Sequence, residues 1–434
     1  MAEIHPFRGV HYNQRKVKDL ADVICPPYDV IPPQMQQELY QRNEYNFVRL
    51  EHNRELPQDT TTDNKYTRSA AVLEQWLAQK VLVTDEVPSI YLHDHYFHHG
   101  GREYRRRGII AGVRLQEWAD NVVRPHEGTL VEHTTDRLSL LWVCQANTSP
   151  ILALFEDESQ QIASLLAKEE KTPPLLGSSE VDGERHNLWV ISEPEAIKQI
   201  CASLSAQPLY IADGHHRYES ALSYQRERRA CSSAVSGEEA FNFVMMELVD
   251  FADPGLVILP AHRLVRGMSK AALSELAARL KSFFEVEELP IGKADVWGQI
   301  DRLLSGGDSN EVRLVLLGLV EGRLLRLKLS DSSAADQMMP HFHSELYKRL
   351  DVDVVDSVIP NKLAESGESV ISYSYDGQDA VNRVLQQEYQ LAFLLSPVRA
   401  EAVKAIADAG DKMSRKATYF YPKAPAGLVL HRLD

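Results

Sequence analysis

Between Tyr210 and Tyr218 the chain reads Tyr-Ile-Ala-Asp-Gly-His-His-Arg-Tyr, and this stretch constrains the fold more than any other. The apolar run Leu209–Ala212 has strand character and Tyr218–Arg229 has helical character, with five polar or turn-forming residues between them. A strand that ends in Asp-Gly and opens into a helix aims the first backbone N–H groups of that helix at whatever occupies the turn. Such a place suits an anion. His215, His216 and Arg217 can each donate to a phosphate, Gly214 allows close backbone approach, and Asp213 is a candidate metal ligand or general base.

Composition sets the frame for that turn. The 434 residues carry 47 basic and 62 acidic side chains, a formal charge of −15, which repels a polyanion and disfavours broad nucleic-acid binding. A small phosphorylated ligand needs only a few local donors. Apolar residues make up 44% of the chain, enough for two or three domains with sizeable cores. Cys25, Cys144, Cys201 and Cys231 are scattered with no Cys-x-x-Cys spacing, as expected of reduced thiols. Neither an N-terminal apolar h-region nor an uninterrupted apolar run of the roughly 18–20 residues that span a bilayer is present. The expectation is a cytoplasmic protein with no membrane partner, for which a homo-oligomer is allowed.

Strand-like and helical periods alternate along the whole chain, which predicts an α+β, mixed-sheet, multi-domain protein. Residues 1–167 form an N-terminal region, with a helix over Ser69–Gln79 and a hairpin made by Ile90–Phe97, Gly100-Gly101 and Gly108–Leu115. Tyr91, His93, His95 and Phe97 share one strand face, read as a half-exposed polar face together with His98 and His99 rather than as a metal site. Residues 168–186, rich in charge, Pro, Gly and Ser, predict a linker. A core over 187–268 follows, containing the Asp213–Arg217 turn and strands at Phe241–Asp250 and Leu256–Leu264. Residues 269–434 make a C-terminal α+β region.

Several motifs in fixed order identify the chain as resembling the domain of unknown function 1015 family over essentially its whole length. They are Pro26-Pro27-Tyr28-Asp29-Val30-Ile31, Pro125-His126-Glu127-x-Thr129, Asp136-Arg137-Leu138, Ile211–Tyr218, Leu259–Leu264 and Thr418–Lys423. The family pattern has Pro where this chain has Ser414. More distantly, residues 188–229 are similar to the core of the ParB and sulfiredoxin superfamily, in which a Gly-x-x-Arg element at a helix start binds nucleotide phosphates. Here that element is Gly214-His215-His216-Arg217. Free-serine kinases of that superfamily carry an Asp-Gly-His type motif, so the resemblance implies phosphoryl transfer from ATP or ADP, with Mg²⁺, to a small hydroxylated acceptor such as free serine.

The remaining motifs supply further candidates. Tyr28 and Asp29 follow a stiff Pro-Pro pair and suit substrate binding or base chemistry, or Asp29 caps the helix Pro33–Tyr40. His126 and Glu127 suit a proton relay, metal ligands or substrate contacts, and Arg137 can pair with Glu127 or a substrate carboxylate. His262 and Arg263 at a strand end make a second candidate anion site. Lys416 and Lys423 flank the aromatic segment Thr418–Pro422, which either closes over a nucleotide base or packs the tail. Two rival functions use the same residues. One is a metal-dependent phosphoesterase holding transition metal on Asp213, His215, His216, His126 and Glu127. The other is a nucleotide-binding switch.

Overall fold

The computed structural model describes residues 1–434 apart from 182, 206, 232–235, 293–294, 306–311, 331, 340–342 and 360–369. It is an α+β structure that divides into two compact units. The first comprises Met1–Pro125, Thr129–Val257 and Pro422–Asp434, and the second comprises His126–Gly128 and Ile258–Tyr421.

A nine-stranded mixed sheet organises the first unit. Its strands are β1 (Ile4–His5), β2 (Ile90–His99), β3 (Arg102–Arg114), β4 (Val123–Arg124), β5 (Ile151–Phe155), β6 (Leu176–Gly177), β7 (Glu184–Ile191), β8 (Leu209–Asp213) and β9 (Phe243–Asp250). They lie in the order β4-β8-β5-β9-β3-β2-β7-β6, with β1 added to β3. The β8–β4 and β9–β5 pairs are parallel and the others antiparallel.

Gly100 and Gly101 form the two-residue turn between β2 and β3 with φ of 56° and 75°, the left-handed pair that matches strand twist. Alternation then sends Ile90 and Leu92 into one apolar layer and Tyr91 into the other. Both faces of the sheet are covered. That corrects one expectation: His93 and His95 are fully buried, because β2 is an interior strand between β3 and β7, and only His98 and His99 at the hairpin tip are exposed.

Helices α1 (Pro33–Arg42), α2 (Lys65–Ala78), α3 (Val131–Cys144) and α4 (His215–Cys231) belong to the same unit. α2 starts four residues before the predicted helix because Asn64 and Thr67 form a capping box. α1 is preceded by Pro32 without a side-chain cap, so Asp29 does not cap it. Residues 168–186 lie inside this unit, where β6 pairs with β7 through Leu176–Leu188 and Gly177–Asn187. Leu176–Gly177, within the stretch read as a linker, is a short edge strand.

The second unit carries a six-stranded antiparallel sheet of β10 (His262–Arg266), β11 (Phe284–Pro290), β12 (Arg313–Leu317), β13 (Arg323–Leu329), β14 (Val370–Ser374) and β15 (Leu391–Leu394), in the order β11-β13-β12-β15-β10-β14. The predicted strand Leu256–Leu264 is broken in two at Pro260-Ala261, where proline lacks the N–H a ladder needs. Helix α5 (Asp351–Val358) lies in the same unit. No helix among the described residues is long and apolar enough to cross a membrane.

Candidate functional site

β8 and α4 bring the central motif into a defined geometry. The β8–β5 register shifts between Ile211 and Asp213, a bulge that re-aims the last residue of the strand. Gly214 follows with φ of 96°, and a Cβ there would stand 3.0 Å from Nε and Nη2 of Arg217. α4 begins at His215, three residues earlier than predicted, and the Tyr218 N–H donates to the Gly214 carbonyl at 3.0 Å. His215, His216 and Arg217 therefore occupy the first turn, where the helix dipole is positive.

Asp213 is the hub of the charges. Its Oδ2 accepts from Arg217 Nη2 at 2.6 Å, and its Oδ1 accepts from Lys423 Nζ. All three side chains are nearly buried, with 10–13% of their surface exposed. Burial pushes the Asp213 carboxyl up, but Lys423 and Arg217 outweigh it and hold the group well below the usual carboxylate range. One carboxylate and two cations leave the cluster with a net positive charge.

A polar chain runs on from Arg217. Its Nη1 donates to Ser149 Oγ at 3.1 Å and to the Pro150 carbonyl. Ser149 Oγ donates to Glu51 Oε1 at 3.1 Å, and Thr148 Oγ1 donates to Glu51 Oε2 at 2.6 Å. The buried Glu51 then meets Arg137, whose Nη1 donates to the Glu51 carbonyl at 3.1 Å and stands 3.5 Å from Oε1. Arg137 also donates from Nε to Asp136 Oδ2 at 2.8 Å, and it stacks on Tyr28 with Cζ 3.8 Å from the ring centroid. Arg137 is thus engaged by Asp136 and Glu51 rather than by Glu127. Burial raises the Tyr28 hydroxyl above its ordinary value despite the opposing Arg137 charge. Arg137, Asn147, Thr148, Ser149 and Arg217 line a cavity of about 30 Å³, a water-sized space.

The other candidates fall as follows. His216 Nε2 accepts from the Leu130 N–H at 3.0 Å, so the proton of the neutral ring sits on Nδ1. His215 is buried and adds to the field that lowers Asp213. Asp29 is exposed on a single 3-10 turn, Tyr28–Val30.

In the second unit, His126 is fully buried with Nε2 2.9 Å from Thr418 Oγ1, which donates to Glu127 Oε1 at 3.4 Å. His262 Nδ1 accepts from the Leu395 N–H at 3.1 Å, and burial pushes the ring down to about 4. Arg263 is fully buried and its fork is filled by Asp356, at 3.0 Å from both Nε and Nη2, with Ala261 accepting from Nη1. Asp356 and the Ala261 carbonyl thus occupy the donors that the second candidate anion site would use. Lys416 is exposed with φ of 56°.

Two participants, Glu51 and Ser149, escaped the sequence reading. Lys423 stood out only as a flank of the aromatic segment. Glu51 and Ser149 carried no local signal beyond a carboxylate in an apolar helix turn and a Thr-Ser-Pro run before a strand.

Fold and site together define an α+β protein whose first unit presents a strand–glycine–helix junction ringed by a buried carboxylate and two cations. The chain belongs to the family described as protein of unknown function DUF1015, whose model matches residues 4–353. No curated protein matches it. Similar solved structures include a conserved hypothetical protein from Pyrococcus furiosus, at 13% identity and TM-score 0.37, covering 75% of this chain and 95% of that one. A free serine kinase variant in complex with ADP is 11% identical with TM-score 0.38, covering 74% of this chain and 91% of that one. SbnI from Staphylococcus aureus, truncated at its C-terminus, is 9% identical with TM-score 0.35, covering 74% and 87%.

Proposed function

We propose that the first unit binds the phosphates of a nucleotide at the Asp213–Arg217 turn, and that the protein is a nucleotide-dependent phosphotransferase acting on a small hydroxylated acceptor, with free serine the first to test. The observation that carries this is the junction itself: Gly214 at positive φ opens the N-terminus of a 17-residue helix onto Arg217 and Lys423. Backbone N–H groups, a guanidinium and an ammonium are the donors a phosphate needs. Phosphoryl transfer rests mainly on positioning and on neutralising the equatorial oxygens, which these groups supply.

The low pKa of Asp213 makes it a poor base. Its role is to hold Arg217 and Lys423 in place until phosphate oxygens compete for them. With both carboxylate oxygens accepting from cations, Asp213 does not fit the part of resident magnesium ligand, and magnesium would arrive on the nucleotide as part of the substrate. Among the described residues, the group with metal-ligand spacing is His95, Glu184 and His186, which is not at this turn. The phosphoesterase reading therefore finds no support at the turn.

The test is a thermal-shift screen of the purified chain against ATP, ADP, AMP and CTP, with and without magnesium, since ligand binding raises the melting temperature. One nucleotide should stabilise the protein, and Arg217→Ala or Lys423→Met should weaken it by roughly 10- to 150-fold, the loss of one charged hydrogen-bonding group. Absence of any shift, or shifts unchanged in both variants, would overturn the assignment. Turnover of the stabilising nucleotide with serine then tests the acceptor.

A further inference from the structure

A second polar cluster lies on one face of the nine-stranded sheet, built by the registers His95–His186 and His95–Arg106 across β7, β2 and β3. His93, His95, Arg106 and Glu247 are fully buried, His186 nearly so, and the Glu184 side chain is about one-third exposed. Nothing in the proposed phosphoryl transfer uses these residues.

With the three histidine rings neutral, the hydrogen bonds set the tautomers. Glu247 Oε1 lies 2.7 Å from His93 Nδ1, which must carry the proton it donates to the carboxylate. In the neutral ring, His93 Nε2 is then an acceptor, and it faces His186 Nδ1 at 3.1 Å, which becomes the donor. His186 Nε2 is left with its lone pair, and it stands 4.0 Å from Glu184 Oε2. Two acceptors facing across that gap repel unless something positive lies between them. On the other side, Arg106 Nη2 can only donate to His95 Nδ1, at 3.1 Å, so His95 Nε2 carries a proton and donates to Glu184 Oε2 at 2.7 Å. Two atoms of the cluster, Arg106 Nε and Glu247 Oε2, are buried with no hydrogen-bond partner.

We propose that His95, Glu184 and His186 form a binding site for a first-row transition metal, with zinc the representative ion and Glu247–His93 the outer-shell relay that orients His186. One ligand atom from each of the three residues lies within 4.8 Å of the others. Ligands about 2.1 Å from a tetrahedral zinc stand roughly 3.4 Å apart, between the 2.7 and 4.0 Å separations seen here. Two imidazoles and one carboxylate suit zinc far better than magnesium. The usual outer-shell support is a carboxylate, carbonyl or water that accepts the other ring N–H of a ligating histidine; here His93 takes that part for His186, and Glu247 holds His93 in turn. The partly exposed Glu184 gives the ion its entry path and leaves a fourth coordination position toward solvent. Coordination by His95 requires the proton on its Nε2 to move to Nδ1 as Arg106 Nη2 gives up that nitrogen, so the ring stays neutral and releases no proton on uptake.

The experiment uses the tag-free full chain, stripped with EDTA, desalted, incubated with micromolar zinc sulfate and passed through gel filtration. Elemental analysis should find about one zinc per chain. Glu184→Gln and His186→Gln should lose the ion, and Glu247→Gln should weaken it by about 10- to 100-fold. Glu184 is partly exposed, so its variant reads the site even where a buried histidine variant fails to fold. A wild-type chain that retains no zinc or a Glu184→Gln chain that retains it undiminished would each overturn the proposal. Loss of zinc from Arg217→Ala would also do so, because that residue belongs to the other site.

Discussion

Asp213→Asn removes one charge from a nearly buried triad and keeps its shape. In the native protein both cations find their counter-ion in this one carboxylate, Arg217 at 2.6 Å and Lys423 on the other oxygen. The amide removes that carboxylate charge from between Arg217 and Lys423, 10% and 11% exposed. Removing one partner from a buried ion pair costs about 3–5 kcal/mol, and the reach of a lysine toward solvent places this case near about 3 kcal/mol. For a unit of this size that is a fall of roughly 6–12 °C in melting temperature at neutral pH.

The pH dependence gives the sharper test. A carboxyl whose folded pKa lies below its unfolded value of about 3.9 contributes stability that is fully present above the unfolded pKa and is lost as pH falls toward the folded one. The gap between wild type and Asp213→Asn should therefore be constant from about pH 5 to 8 and narrow only below about pH 4. Urea denaturation followed by circular dichroism, from pH 3 to 8, measures it. A gap under about 1 kcal/mol at neutral pH, or one that widens on acidification, would refute the view of Asp213 as the counter-ion of both cations.

Two more outcomes follow from single positions. Gly214→Ala should lower stability by about 1–2 kcal/mol, because L residues are strained at positive φ and the new Cβ would meet the Arg217 guanidinium at 3.0 Å; a melting temperature equal to wild type would show that this backbone is not maintained. Asp253 accepts from the Gly255 and Arg107 N–H groups, yet burial pushes its carboxyl up to about 6, so its contribution is full below the unfolded pKa and is lost as pH rises through 6. Asp253→Asn should gain on wild type by roughly 3 kcal/mol between pH 4 and 7, read from urea midpoints, and a flat difference across that range would contradict it.

Much of the local architecture was legible in the chain. Asp-Gly after an apolar run marked the β8–α4 junction, Gly100-Gly101 marked the β2–β3 hairpin, and period-two alternation placed Tyr91, His93, His95 and Phe97 on one face. Each depends on residues a few positions apart, through backbone dihedrals and side-chain period, which the sequence specifies directly. The tertiary structure decided which charges meet. Lys423 reaches Asp213 across 210 positions and Glu51 meets Arg137 across 86, while Arg263, apparent in sequence as a candidate anion donor, is consumed by Asp356 at a separation of 93. It decided burial as well, turning the histidines of β2 from a solvated strand face into an enclosed network by covering both sides of the sheet. Charge pairing and burial are properties of packing between distant segments, and no local pattern carries them.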